Sequence, residues 1–490
     1  MRKSGILMHI TSLPNPYGIG TMGKCAYDFV DFLCDAGQSY WQILPLSPTG
    51  YGDSPYQAFS TFAGNHYLID LDILRQEGLL QQEEINAIDW GSNECRVDFG
   101  RLYDHRTQLL RLAYGRFCDA EGLDVFIAEN SDWLADYALF MALKEKFQGR
   151  DWQNWSISLL MRLPGVLDTY RAELKEAIRF QSFLQYTFFK QWKALRKYAN
   201  EKGIQIIGDV PIYVPLDSAD VWANHKYFQL DAARRPVAVA GCPPDSFSAD
   251  GQRWGNPLYD WQAMEKDGYH WWIRRLKAAA KMYDVVRLDH FRGFESYWAI
   301  PATEPTAVNG RWEKGPGMDF IGAVQKALPE LDFIAEDLGF VTPEVRQLQE
   351  QSGYPGMKVL QFAFDSREAG DYLPHTYTEN SVCYTGTHDN LTLKQWFENA
   401  SQEDIDHAVD YLKLTEEEGY VRGMIRGCMA SVSKLCVVQL QDYLELDGEA
   451  RMNCPGLLSG DNWTWRARAE MITPQLAQRI YETTKQHKRV

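Results

Sequence analysis

A chain of 490 residues that is 45% hydrophobic and 13% aromatic can bury a large core, and its formal net charge of −16 excludes DNA, RNA and acidic membrane surfaces as partners, which require basic patches. The nine cysteines are scattered, odd in number and without a CxxC pair, so neither a zinc site nor a disulfide framework is indicated. No metal motif and no Walker-type glycine loop occurs, so no metal and no cofactor are expected.

Short apolar runs that do not alternate recur along the chain, as expected of parallel strands buried on both faces. GILMHI (5–10) and YWQILPL (40–46) come first, with a helical segment from Tyr27 to Ala36 between them. The first run is too short for a signal-peptide core, and no run approaches the roughly 18 residues of a membrane span. With reduced thiols as the default, a cytoplasmic protein is expected. Residues 72–200 read as a mostly helical subdomain inserted between the second and third strands. In its last part Phe180, Leu184, Phe188, Trp192 and Leu195 recur at spacings of four and three and form one apolar stripe, expected to pack in the core. Strands follow at IQIIGDV (204–210), YDVVRLDH (283–290), DFIAEDL (332–338), KVLQFAF (358–364) and SVCYTG (381–386), and RMNCPG (451–456) is the candidate for the eighth.

Eight such strands predict an α/β fold, a (β/α)8 TIM barrel of roughly 250 residues. The remainder would be helical and loop insertions at the C-terminal face of a single catalytic domain spanning 1–490. Residues 241–261 and 293–317 read as long loops dense in Gly, Pro and aromatics. Ordered loops of that length are usually functional. The first is expected to be a lid over the active site, and exposed Trp and Tyr suit the flat C–H faces of sugar rings.

Acidic residues close several of the predicted strands, where a barrel opens to solvent. Arg287 and Asp289 lie two apart, so both point to the same side of a strand. Taken alone the pattern reads first as a structural ion pair; it also fits a guanidinium that compensates a nucleophilic carboxylate. Glu336 and Asp337 point opposite ways; Glu336 is expected to be a proton donor with a raised pKa, with Asp337 as the alternative. His388, Asp389 and Asn390 crowd the end of another strand, where His388 and Asp389 would meet sugar hydroxyls. Asp209 ends a fourth run, ahead of Pro211. Three carboxyl groups converging on one mouth repel each other. Such an arrangement serves chemistry that needs an acid, a base and a stabiliser of positive charge together, as glycoside chemistry does.

In that order GDVPIYV, RLDHF, IAEDLG and YTGTHDN resemble the four short signature regions of the α-amylase superfamily. The match is closer to 4-α-glucanotransferases of the amylomaltase (disproportionating enzyme) type and covers almost the whole chain. GDSPYQ and FSADGQRWGNPLYDW are long segments specific to that type, whereas PGLLSGDNWTWR is a looser version of its terminal Gly-Asn-Trp pattern. The resemblance implies a retaining glycosyltransferase with Asp289 as nucleophile, Glu336 as general acid/base and Asp389 as transition-state stabiliser. It also implies glucan contacts from Ser54, Tyr56, Asp209, Trp254, Arg287, His388 and Asp365. The partners would be an α-1,4-glucan donor and a glucose or malto-oligosaccharide acceptor, with monomer and homo-oligomer both open. An α-glucan hydrolase on the same barrel and a catalytically silent glucan-binding barrel are the alternative readings.

Overall fold

The computed structural model describes residues 2–50, 52–244, 248–367, 371–457 and 459–490. Their strands are β1 (Lys3–Leu7), β2 (Tyr40–Gln42), β3 (Gln205–Val210), β4 (Ala238–Cys242), β5 (Gln252–Pro257), β6 (Val285–Leu288), β7 (Ser296–Pro301), β8 (Arg311–Lys314), β9 (Asp332–Ala335), β10 (Gly356–Val359), β11 (Ser381–Tyr384) and β12 (Leu435–Gln439). Eight of them close a parallel barrel in the order β1, β2, β3, β6, β9, β10, β11, β12, with β12 returning to β1. This is the predicted TIM barrel. Alternate side chains fill its interior, among them Leu7, Ile207, Val285, Ile334, Val382 and Val437. Their neighbours Ile6, Ile206, Val286, Phe333 and Val438 face outward into the larger core shared with the helices. Burial on both faces explains why these strands read as unbroken apolar runs.

The eighth strand is β12 and not 451–456. All five residues of LCVVQ are buried and pair with β1 and β11. RMNCPG contains Pro455 followed by Gly456 at φ 77°, a turn that no strand accommodates. The predicted run 358–364 is also mostly not strand: β10 ends at Val359 and a 3-10 turn occupies Leu360–Phe364. The segments 241–261 and 293–317, read as loops, contribute most of a second, antiparallel sheet in the order β5, β4, β7, β8. Residues 245–247, within the expected lid, lie outside the described residues.

Between β2 and β3 the chain forms a run of helices from Leu71–Gln76 to Pro164–Glu173, and then the long helix Lys175–Glu201. Phe180, Leu184, Phe188, Trp192 and Leu195 are buried on that helix, which packs on β3 and on helix Lys24–Asp35. Two glutamines interrupt its apolar face for a reason. Gln185 exchanges hydrogen bonds with the backbone of Gly64 (2.7 and 3.0 Å), and Gln191 does the same with Asp70 (2.7 and 3.2 Å). Each buried amide substitutes for a strand partner, so the irregular segment after β2 has its backbone groups satisfied inside the protein. That segment carries Ser54 and Tyr56 to the barrel mouth. Gly64 is required there, because an added Cβ would lie 2.0 Å from the Phe188 ring. No helix among the described residues is long and apolar enough to cross a membrane.

Candidate active site

Strand register assembles the site. On β3 and β6, Asp209 pairs with Arg287, one layer above the apolar pair Ile207 and Val285. Arg287 is 4% exposed and donates through the same Nη1 to Asp209 (2.6 Å) and to Asp289 (2.9 Å). Its Nε contacts Met357 Sδ at 3.3 Å. Burial works to lower the Arg287 pKa, but Asp209 and Asp289 outweigh it and push the value well up. Burial raises the pKa of Asp209, against the pull of Arg287. The phenol of Tyr56 donates to the same Asp209 Oδ2 at 2.7 Å, while Oδ1 is buried with no protein partner among the described residues.

Asp289 and Glu336 each follow the last residue of their strand. Because Leu288 pairs with Ala335, Asp289 and Glu336 leave adjacent strands at the same level, with backbones roughly 4.8 Å apart. Glu336 accepts from the backbone N–H of His290 (2.6 Å) and of Leu338 (3.0 Å). Burial, reinforced by the charge of Asp289, nevertheless raises its pKa to about 8 against the effect of Arg287 and these donors. Asp337 points away and accepts from Met357 N at 2.7 Å, tying β9 to β10. His290 adopts the left-handed conformation, φ 52°. That twist aims its N–H at Glu336, and burial lowers its imidazole pKa to about 4.

Asp389 lies five residues beyond β11, in a turn locked by Asn390 Oδ1 accepting from Thr387 N (2.8 Å). Asn453 Nδ2 donates to Asp389 Oδ1 at 2.6 Å, and Arg451 Nη2 donates to the Asp389 carbonyl at 2.7 Å. His388 Nε2 stands 3.4 Å from the same carboxylate, and its ring stacks on Tyr56 at 5.1 Å between centroids. Trp463 closes this aromatic group, 5.8 Å from Tyr56 and 5.9 Å from His388. Ser54 Oγ accepts from Tyr56 N at 3.2 Å and shapes the turn that presents the phenol. Trp254, on β5, meets His290 edge-on at 4.9 Å. Asp365 follows the turn after β10 and is engaged by Arg367; none of its hydrogen bonds among the described residues reaches the carboxyl groups at the mouth.

Sequence reasoning missed Asn453, Arg451 and Trp463. The first two belong to the segment misread as a strand. It is the loop that orients Asp389, and its polar residues among turn formers were the available signal. Among the described residues no group of His, Cys, Asp or Glu has metal-binding geometry.

A carboxyl group bonded to arginine beside a carboxyl group with a pKa near 8 can supply a nucleophile and an acid to one bond. On a barrel with an aromatic-lined mouth, that pairing defines an enzyme acting on glycosidic linkages. A family profile described as 4-alpha-glucanotransferase matches residues 8–472. The 4-alpha-glucanotransferase of Clostridium butyricum is 49% identical over 482 residues, spanning 98% of this chain and 99% of that protein. That of Thermus thermophilus is 47% identical over 492 residues, with 98% and 97% covered. An amylomaltase from Streptococcus agalactiae, solved in complex with acarbose, superposes with a TM-score of 0.97 at 42% identity over the full length of both chains. The chain belongs to the 4-alpha-glucanotransferase family.

Asn453 acts on Asp389 and not on the reacting atoms, so its role is positional. Replacing it with Ala removes a hydrogen bond to a charged group, worth about 1.5–3 kcal/mol. Steady-state kinetics of glucan transfer for Asn453→Ala should show kcat lowered about tenfold or more with KM changed little; an unaltered kcat removes Asn453 from this role.

Proposed function

We propose that Asp289, Glu336 and Asp389 carry out the retaining transfer of an α-1,4-glucan segment to the 4-hydroxyl of a glucose or malto-oligosaccharide acceptor. The observation that carries this reading is the pairing of Leu288 with Ala335, which brings Asp289, held by Arg287, and Glu336, with its raised pKa, to one barrel mouth on adjacent strands. Retaining pairs lie about 5–5.5 Å apart, close to one strand spacing, whereas an inverting pair is held wider to admit a water. Asp289 attacks the anomeric carbon while Glu336 gives its proton to the departing oxygen, forming a glucosyl ester. The charge of Asp289 helps to raise the Glu336 pKa. Esterification removes that charge, the Glu336 pKa falls, and the same group becomes the base that takes the proton from the acceptor hydroxyl. Asp389, held by Asn453, faces the cationic sugar between these steps.

In this reading Arg287 aims Asp289, and Asp209 meets a sugar hydroxyl together with His388. Ser54 and Tyr56 complete the donor side, Asp365 reaches a more distant ring, and Trp254 gives the acceptor a flat surface. Family membership favours transfer over the hydrolytic and silent alternatives. The cysteines are odd in number and scattered without a disulfide-like spacing, and the chain is acidic, which supports placement in the cytoplasm.

Incubation with maltotriose should yield glucose and longer oligomers with little gain in reducing ends. Asp289→Asn, Glu336→Gln and Asp389→Asn should each lower turnover by about 10²–10³-fold or more while leaving the fold intact. Near-normal turnover in any one of them removes that residue from its role.

The acid limb of the mechanism requires Glu336 protonated. Its raised pKa keeps it so at neutrality, and kcat/KM should decline as pH rises through about 8. A pH–rate profile that stays level well above that value contradicts the assignment.

Transfer has to outrun attack by water, and an oriented acceptor achieves this by proximity. Trp254→Ala should therefore raise the ratio of hydrolysis to transfer, read as reducing ends formed per glucose released from maltotriose. An unchanged ratio rules out an acceptor platform at Trp254.

A further inference from the structure

Among the described residues Phe340 and Trp312 are the exposed phenylalanine and tryptophan, 67% and 38% exposed, and they lie together. Their rings stack with centroids 6.4 Å apart and planes inclined by 19°. Exposing two large aromatic faces side by side in water is unfavourable and marks a binding surface. The pair is also held rigidly. Arg292, 4% exposed, places its guanidinium 3.8 Å from the centre of the Trp312 ring and donates to the Phe340 carbonyl. Arg292 is itself fixed by Ser296, Nη2 donating to Oγ at 3.0 Å. Trp312 pairs with Trp298 across β7 and β8, and the two indoles meet edge-on at 5.1 Å.

Two short connections tie the surface to the catalytic site. Phe340 is four residues after Glu336, so the chain places it within about 14 Å. Arg292 lies three residues after Asp289, in the 3-10 turn Phe291–Phe294. A planar, preorganised aromatic surface beside a site that takes sugars fits another sugar ring better than it fits a mobile partner.

Resting on the reading above, we infer that Phe340 and Trp312 form a distal stacking subsite for α-1,4-glucan chains on the leaving-group and acceptor side. Long chains reach it and maltotriose does not. The subsite therefore selects for chain length without taking part in the bond exchange.

The test compares maltotriose with maltoheptaose as acceptor for wild type, Phe340→Ala, Trp312→Ala and Phe340→Tyr. Each alanine variant should raise KM for maltoheptaose about fivefold or more, while KM for maltotriose changes less than about twofold. Phe340→Tyr should retain the wild-type ratio. Equal changes for both substrates, or none, overturn the subsite. So does self-association of the wild-type protein that Phe340→Ala abolishes with the maltoheptaose KM unaltered, which assigns the surface to a second copy of the chain. Transfer from maltotriose by wild type and its loss in Asp289→Asn, measured in the same assay, report on the underlying reaction separately from the subsite.

Discussion

The site depends on one buried guanidinium. Arg287 stands inside the barrel between Asp209 and Asp289 and bonds both through a single nitrogen. Buried ion pairs add little net stability, because desolvation offsets most of their attraction. What this one contributes is arrangement. Two carboxylates so close would repel each other and drive one toward its neutral form. Arg287, bonded to both, offsets that repulsion. Tyr56 donates to Asp209 and Met357 Sδ meets Arg287 Nε, so further contacts hold the same group in place.

The second consequence is the contrast between Asp289 and Glu336. They are the same functional group on adjacent strands, yet Arg287 contacts the first, whereas burial dominates the second. Backbone donors from His290 and Leu338 alone would favour the ionised form of Glu336; burial outweighs them. In the proposed mechanism the acid and the nucleophile are thus separated by environment and not by residue type. In that mechanism their coupling also makes the cycle self-adjusting. Removing the charge on one carboxyl group changes the proton affinity of the other in the direction that the following step requires.

Much of this was legible in the sequence, for a physical reason. Parallel strands buried on both faces leave unbroken apolar runs, and an acidic residue at the end of such a run stands out. Asp209, Asp289 and Glu336 were visible in this way. Asp389 was visible by its motif, although it lies in a turn beyond its strand. Strand β12 was overlooked because Leu435–Gln439 carries no charge at its end to mark it, while RMNCPG, rich in polar residues, drew the assignment. The sheet formed by β4, β5, β7 and β8 was hidden by Gly and Pro in its turns. Contacts between distant segments, such as Asn453 with Asp389 or Tyr56 with Asp209, leave no local periodicity to read.

The same barrel layering explains why charges at the mouth are effective. Below Arg287 and Asp209 the interior is filled by Ile207, Val285, Ile334 and Val437, with no charged group in that cluster. Water cannot approach from beneath, so the field of Arg287, Asp289 and Asp389 is weakly screened in the direction of the cleft. The fixed donors and carboxylates are oriented before a substrate arrives, and little reorganisation accompanies the build-up of positive charge on the sugar. Stability and chemistry are therefore divided along the strand axis. Apolar side chains at the lower positions hold the barrel closed, and that closed apolar floor lets the polar side chains one layer higher act on a glycosidic bond.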